Sequence, residues 1–158
     1  MKATIPSQHI LVVDDEPMVS DALKMLLTFD GHTIELANDG PDALKKLSKN
    51  KFDVVFTDLK MRGMLGDALA RAIKREYPRQ VVVMVTAYGD VLSPRENVSI
   101  PVDSVISKPF SIRALRNALR HARELNEDRQ IAATSPPLAD SAVVLRPRAP
   151  GKKKAAHF

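Results

Sequence analysis

His9-Ile10-Leu11-Val12-Val13-Asp14-Asp15 is the stretch that decides how this chain folds. Four consecutive apolar residues end on two carboxylates. A run that is apolar at every position needs cover on both faces, as central strands of a parallel sheet have. The same pattern returns further along. Val54-Val55-Phe56-Thr57 leads into Asp58, Val81-Val82-Val83-Met84-Val85 into Thr86, and Val105-Ile106-Ser107 into Lys108. With the more polar segment Thr33–Ala37, these runs predict strands over 9–13, 33–37, 53–57, 81–86 and 103–107.

Helical periodicity fills the gaps between them. Pro17 suits a first helical turn, and Val19, Ala22, Leu23, Leu26 and Leu27 form an apolar stripe that Gly31 stops. Asp39-Gly40-Pro41 opens a second helix with Ala43, Leu44 and Leu47 inward. Gly66-Asp67 opens a third with Leu69, Ala72 and Ile73 inward, and Pro78 lies beyond its end. Residues 90–102 hold Pro94 and Pro101, so only a short or irregular helix, over 93–99, is expected there. Ser111 reads as the N-cap of a last helix carrying Ile112, Leu115, Leu119, Ala122 and Leu125 on one face. Strand then helix, repeated, implies an α/β fold: a parallel sheet with helices on both sides. Past about residue 130 the periodicity stops. Ser135-Pro136-Pro137 and the prolines at 147 and 150 break any helix, so the C-terminal end reads as a disordered tail.

The polar residues at the strand ends carry the chemistry. In an open parallel sheet, ligands bind outside the carboxyl ends of the strands. Asp14, Asp15, Asp58, Thr86 and Lys108 would therefore meet in one pocket. Three carboxylates repel one another unless a cation sits among them. Hard oxygen donors without Cys or His suit Mg²⁺. A lysine opposite them suits a phosphoryl group, so the set points to phosphoryl transfer onto a carboxylate.

Composition narrows the class. The chain has 158 residues, 44% of them apolar, which suffices for one domain with a real core. With no Cys there are no disulfides and no thiolate metal sites. No apolar run approaches a membrane span, and the first residues lack a signal peptide's apolar stretch, so a cytoplasmic protein is expected. The histidines at 9, 32, 121 and 157 show no metal-ligand spacing and read as surface or strand-edge residues. Net charge is +5, but residues 131–158 alone contribute +4, five basic residues against Asp140. The basicity belongs to the tail and gives no sign of a nucleic-acid-binding domain.

Four strings in order, Ile10–Glu16, Val54–Met61, Val85–Asp90 and Ser107–Phe110, resemble the receiver domain of bacterial two-component response regulators, of the single-domain, chemotaxis-regulator-like kind, so a stand-alone receiver is expected. The resemblance implies a receiver domain over 8–128 and a flavodoxin-like five-stranded sheet of order 2-1-3-4-5, and the basic, Pro-rich residues 129–158 beyond it are expected to form the disordered tail. It implies that Asp58 accepts a phosphoryl group from a sensor histidine kinase or a histidine phosphotransfer protein. Asp14, Asp15, Asp58 and the backbone carbonyl of Lys60 would hold Mg²⁺. Lys108 would pair with Asp58 and then with the phosphoryl group. Thr86 would bond a phosphoryl oxygen, and the Lys108-Pro109 bond would be cis. The output would be binding of a downstream protein target by a monomer or weak dimer. No dedicated DNA-binding domain and no membrane span are expected. Such a chain is expected to catalyse its own Mg²⁺-dependent phosphorylation and slow dephosphorylation at Asp58 rather than to act as a classical enzyme.

The chain also departs from the family pattern. Val105 stands where an aromatic residue is usual, Arg62 where a proline is common, and residues 90–102 where a regular helix is usual. Lys60 and Tyr88, at positions that tune the lifetime of the acyl phosphate, are not obvious aligners of water. Two rivals keep the fold: a phosphorylation-independent interaction module, and a fragment of a larger regulator or hybrid kinase. A phosphatase of the aspartyl-phosphate kind would need an acid at position 60.

Overall fold

A computed structural model describes residues 5–87 and 100–135. Its elements run β1 (His9–Val13), α1 (Pro17–Phe29), β2 (Thr33–Ala37), α2 (Gly40–Lys49), β3 (Val54–Asp58), α3 (Gly66–Glu76), β4 (Val82–Ala87), β5 (Ser104–Lys108) and α4 (Ile112–Thr134). The strands form one parallel sheet of order β2-β1-β3-β4-β5. The expected fold is therefore observed, with β3, β4 and β5 each one residue later than the sequence predicts. Asp58 and Lys108 thus become the last residues of their strands. The irregular helix expected over 93–99 lies outside the described residues.

Alternation along each strand builds two cores. Ile10, Val12, Val54, Phe56, Val83 and Val85 face Leu23 and Leu27 of α1 and Leu115 and Leu119 of α4. Leu11, Val13, Val55 and Val82 face Ala43 and Leu47 of α2 and Leu69 and Ile73 of α3. Covered faces on both sides explain why the central runs are continuously apolar. The predicted caps hold. The Asp42 N–H donates to Asp39 Oδ1 at 2.8 Å, and the Ala114 N–H donates to Ser111 Oγ at 3.1 Å. Gly31 ends the α1 segment with a φ of 92°, which an L side chain would strain. On α3, Ala70 is fully buried and Ala72 only half-buried. Buried Ser20 on α1 is tolerated because its hydroxyl donates to the Pro17 carbonyl at 3.2 Å.

α4 continues past residue 128, where the sequence suggested the domain ends. Its distal half is tied to the lower edge of the sheet. Asp103 accepts from Lys74 Nζ at 2.7 Å, Val82 N at 2.8 Å and Arg129 Nη2 at 2.8 Å, while Arg129 Nη1 donates to the Arg79 carbonyl at 2.6 Å. Burial opposes ionisation of Asp103, but these donors together hold its carboxyl below its ordinary value. Nearer its start, Arg116 grips Asp30 at the end of α1 with two bonds of 2.6 and 2.7 Å.

His32 is not a surface residue. It is 5% exposed, and its Nδ1 accepts the Gln8 N–H at 3.1 Å. Burial lowers its pKa, and nearby Asp30 opposes this only in part. A depressed histidine binds protons more readily unfolded than folded. Its contribution is therefore complete above the unfolded value, about 6.5, and is lost as pH falls toward the folded value. Urea unfolding at pH 7.5 and pH 5.5 is expected to show lower stability at pH 5.5. His32→Asn should flatten that difference; an unchanged pH dependence would contradict this origin.

Candidate functional site

The site lies at the carboxyl ends of β1, β3, β4 and β5, where the sheet order brings the polar strand termini together. Asp14 and Asp58 are 4% and 7% exposed, and Asp15 is half-buried. One carboxylate oxygen from each of the three lies within 4.8 Å of the others. Lys108 Nζ stands 3.3 Å from Asp58 Oδ1 and 3.5 Å from Asp14 Oδ2. The Lys108-Pro109 peptide is cis, as expected. Thr86 is buried at the end of β4, one residue beyond Val85, the register partner of Asp58. Lys60 is exposed, two residues past the end of β3.

Backbone donors fix the three acids. The Glu16 N–H donates to Asp14 Oδ1 at 2.8 Å, the Leu59 N–H to Asp58 Oδ1 at 2.9 Å, and the Arg62 N–H to Asp15 Oδ2 at 2.9 Å. Burial pushes the Asp14 carboxyl above its ordinary value and the Asp58 charge adds to this, while the Glu16 N–H and Lys108 oppose it. The pocket is thus crowded with negative charge that one lysine only partly offsets. The donor set is all hard oxygen, without sulfur or imidazole, and suits a divalent cation such as Mg²⁺.

The structure brings together Asp14, Asp15, Asp58 and Lys108, with Thr86 at the adjacent strand end. Tyr88 falls outside the described residues. Val105 is 43% exposed on the edge strand, opposite Met84 in register, with no ring to pack. Sequence reading missed the part played by Gly66, which it treated only as a helix opener. A Cβ there would lie 1.9 Å from the Asp58 carbonyl oxygen, so α3 can approach the end of β3 only through a glycine. The signal available was a glycine opening a helix shortly after a strand-end acid. That pattern leaves open which backbone it must meet.

Comparison with known proteins agrees with this geometry. The profile of the response regulator receiver domain matches residues 10–120. The transcriptional regulatory protein GlrR of Escherichia coli (strain K12) is 33% identical over 116 residues, 73% of this chain and 26% of that protein. The response regulator MprA of Mycobacterium ulcerans is 30% identical over 114 residues, 72% of this chain and 49% of that protein. The chain therefore spans about a quarter and about half of these two relatives. Among solved structures, the response regulator protein TrrA from Thermotoga maritima, in complex with Mg(2+)-BeF, superposes with a TM-score of 0.67. It is 31% identical, and the match covers 73% of this chain and 98% of that one. Fold, strand-end acids and sequence profile agree, and this chain belongs to the response regulator receiver domain family.

Proposed function

We propose that Asp58 accepts a phosphoryl group from a phosphohistidine on a partner protein and that the resulting charge switches a protein–protein interaction. One observation carries this reading: a buried strand-end carboxylate with two further acids beside it and Lys108 Nζ at 3.3 Å. An Asp58 oxygen attacks phosphorus, and the P–N bond to the donor imidazole breaks. The electron pair leaves with the ring nitrogen, and an acyl phosphate remains. A carboxylate is a weak nucleophile, so positioning and charge neutralisation supply most of the rate. The Leu59 N–H holds Asp58 in place. Lys108 is close enough to follow the charge from the carboxylate to the phosphoryl group. Thr86 offers a hydroxyl at the neighbouring strand end. Asp14, Asp15, Asp58 and the Lys60 carbonyl would hold Mg²⁺, which supplies neutralisation of the charge that builds up in transfer.

Two exposed surfaces suit the partners this role requires, one of them running from the pocket end of α1 along the whole helix. α1 begins two residues after Asp15 and exposes Met18, Met25 and Phe29 at 86%, 67% and 88%. Large apolar side chains left together in water mark an interaction face, and we assign this one to the histidine kinase or phosphotransfer protein. A groove of about 500 Å³ between β5 and α4, lined in part by Val105, Pro109, Phe110, Asn117 and His121, is assigned to the downstream target. No helix among the described residues is long and apolar enough to cross a membrane. A cytoplasmic, monomeric or weakly dimeric switch fits this reading.

Intact mass after incubation with Mg²⁺ and acetyl phosphate tests it. One phosphoryl adduct is expected, and it should be absent when EDTA is present. With Lys60 and Tyr88 at the lifetime-tuning positions, the adduct should decay slowly, and a half-life of seconds would contradict that part. No adduct together with no Mg²⁺ binding would favour a phosphorylation-independent module.

A further inference from the structure

The three acids do not share one counter-ion. Lys108 reaches Asp14 and Asp58, whereas Arg62 reaches Asp15. Two atoms of Arg62 approach the same oxygen. Its backbone N–H donates to Asp15 Oδ2 at 2.9 Å, and its Nε lies 3.8 Å from that oxygen. These contacts differ in permanence. The N–H is fixed by the loop, which turns sharply at the following residue, Gly63, with φ 78°. The guanidinium sits on a side chain that is 96% exposed and has room to swing.

A divalent cation entering the acidic cluster changes this balance. A carboxylate oxygen has two lone pairs, so the N–H can stay and keep Asp15 aimed. The guanidinium carries the same sign of charge as the metal and would be driven off. It remains tethered at the mouth of the pocket, where a phosphoryl group arrives with at least one full negative charge and several acceptor oxygens. A planar guanidinium pairs with phosphate oxygens through two parallel hydrogen bonds and is less strongly hydrated than an ammonium.

Resting on the phosphoryl-acceptor reading above, we propose that Arg62 is an exchangeable counter-ion: its exposed guanidinium rests beside Asp15 and passes to the phosphoryl group once the metal is bound. The role has an unusual signature, because it opposes one step and assists the next. Removing the guanidinium should tighten Mg²⁺ binding while weakening capture of the phosphoryl group. A residue that only shaped the loop would move both the same way.

The test uses the full chain, with Arg62→Ala and Arg62→Lys beside wild type. Arg62→Ala keeps the backbone N–H, so Asp15 stays oriented. Mg²⁺ affinity is read by calorimetry in the absence of any phosphoryl donor. Beryllofluoride, a mimic of the phosphoryl group, is then titrated at saturating Mg²⁺. For Arg62→Ala, Mg²⁺ should bind roughly 2- to 5-fold more tightly, and beryllofluoride about 5- to 10-fold more weakly. Arg62→Lys should fall between alanine and wild type in both. The Mg²⁺ effect should shrink at high salt, because an exposed charge is screened. Unchanged constants, or two shifts in the same direction, overturn the inference while wild-type binding upholds the acceptor reading. A wild type that binds neither Mg²⁺ nor beryllofluoride removes both.

Discussion

Asp58→Asn is expected to lose the phosphoryl adduct completely and at the same time to become more stable in metal-free buffer. The first effect follows from chemistry, because an amide oxygen does not form an acyl phosphate under these conditions. The second follows from electrostatics. Three carboxylates offer oxygens within 4.8 Å of one another, and the nearest ammonium is shared between two of them. Removing one negative charge relieves repulsion, including the part that raises the Asp14 pKa. The asparagine oxygen can still accept the Leu59 N–H and face Lys108. A gain of about 1 kcal/mol is expected, a common size for relief of strain at a functional site. Thermal unfolding with EDTA should place the variant a few degrees above wild type. Added Mg²⁺ should narrow the gap, because it stabilises the protein with the stronger site by mass action. A variant less stable than wild type in EDTA would show that Asp58 is held mainly by attraction to Lys108.

Gly66→Ala is expected to be the most damaging single-methyl change among the described glycines. Two effects compete. Alanine is the better helix former by up to about 1 kcal/mol, which favours the substitution. Against this, the new Cβ would lie 1.9 Å from the Asp58 carbonyl oxygen and 2.9 Å from both the Asp58 carbonyl carbon and Leu59 Cα. All three are backbone atoms at the end of β3, so no flexible side chain can give way. The Gly66 N–H also donates to the Leu59 carbonyl at 2.8 Å, which fixes the approach. The clash wins, at roughly 3 kcal/mol, the upper end of overpacking costs. A fall in Tm on the order of 10 °C follows for a domain of this size. Mg²⁺ affinity should fall as well, because relief of the clash pushes on the strand end that carries Asp58. A Tm equal to wild type would mean that α3 can retreat without cost.

The legible part of the fold was the part set by burial on two faces. Continuous runs such as Ile10–Val13 and Val54–Phe56 announced central strands, and their terminal acids announced the pocket. Asp39 and Ser111 announced helix starts because their side chains cap by local bonds. What stayed hidden depended on contacts between distant residues. His32 read as a surface or strand-edge histidine, yet it is buried and accepts the Gln8 N–H, a residue 24 positions away. The last helix outran its apolar stripe because Arg129 is tied to Asp103 and to the Arg79 carbonyl, a match of charge and backbone that periodicity does not register. Within the site, the convergence of the strand-end side chains was readable and their backbone donors were not. Nothing in the string of letters shows that the Arg62 N–H finds Asp15.

The two ties on α4 have a mechanical consequence. Arg116 fixes the helix to Asp30, and Arg129, thirteen residues on, fixes it to Asp103 and the Arg79 carbonyl. At about 1.5 Å per residue those anchors stand roughly 20 Å apart. A rod held at two such points resists both rolling about its axis and sliding along it. The helix therefore behaves as a spar of the sheet, and a small tilt of the framework reaches its far end magnified by its length.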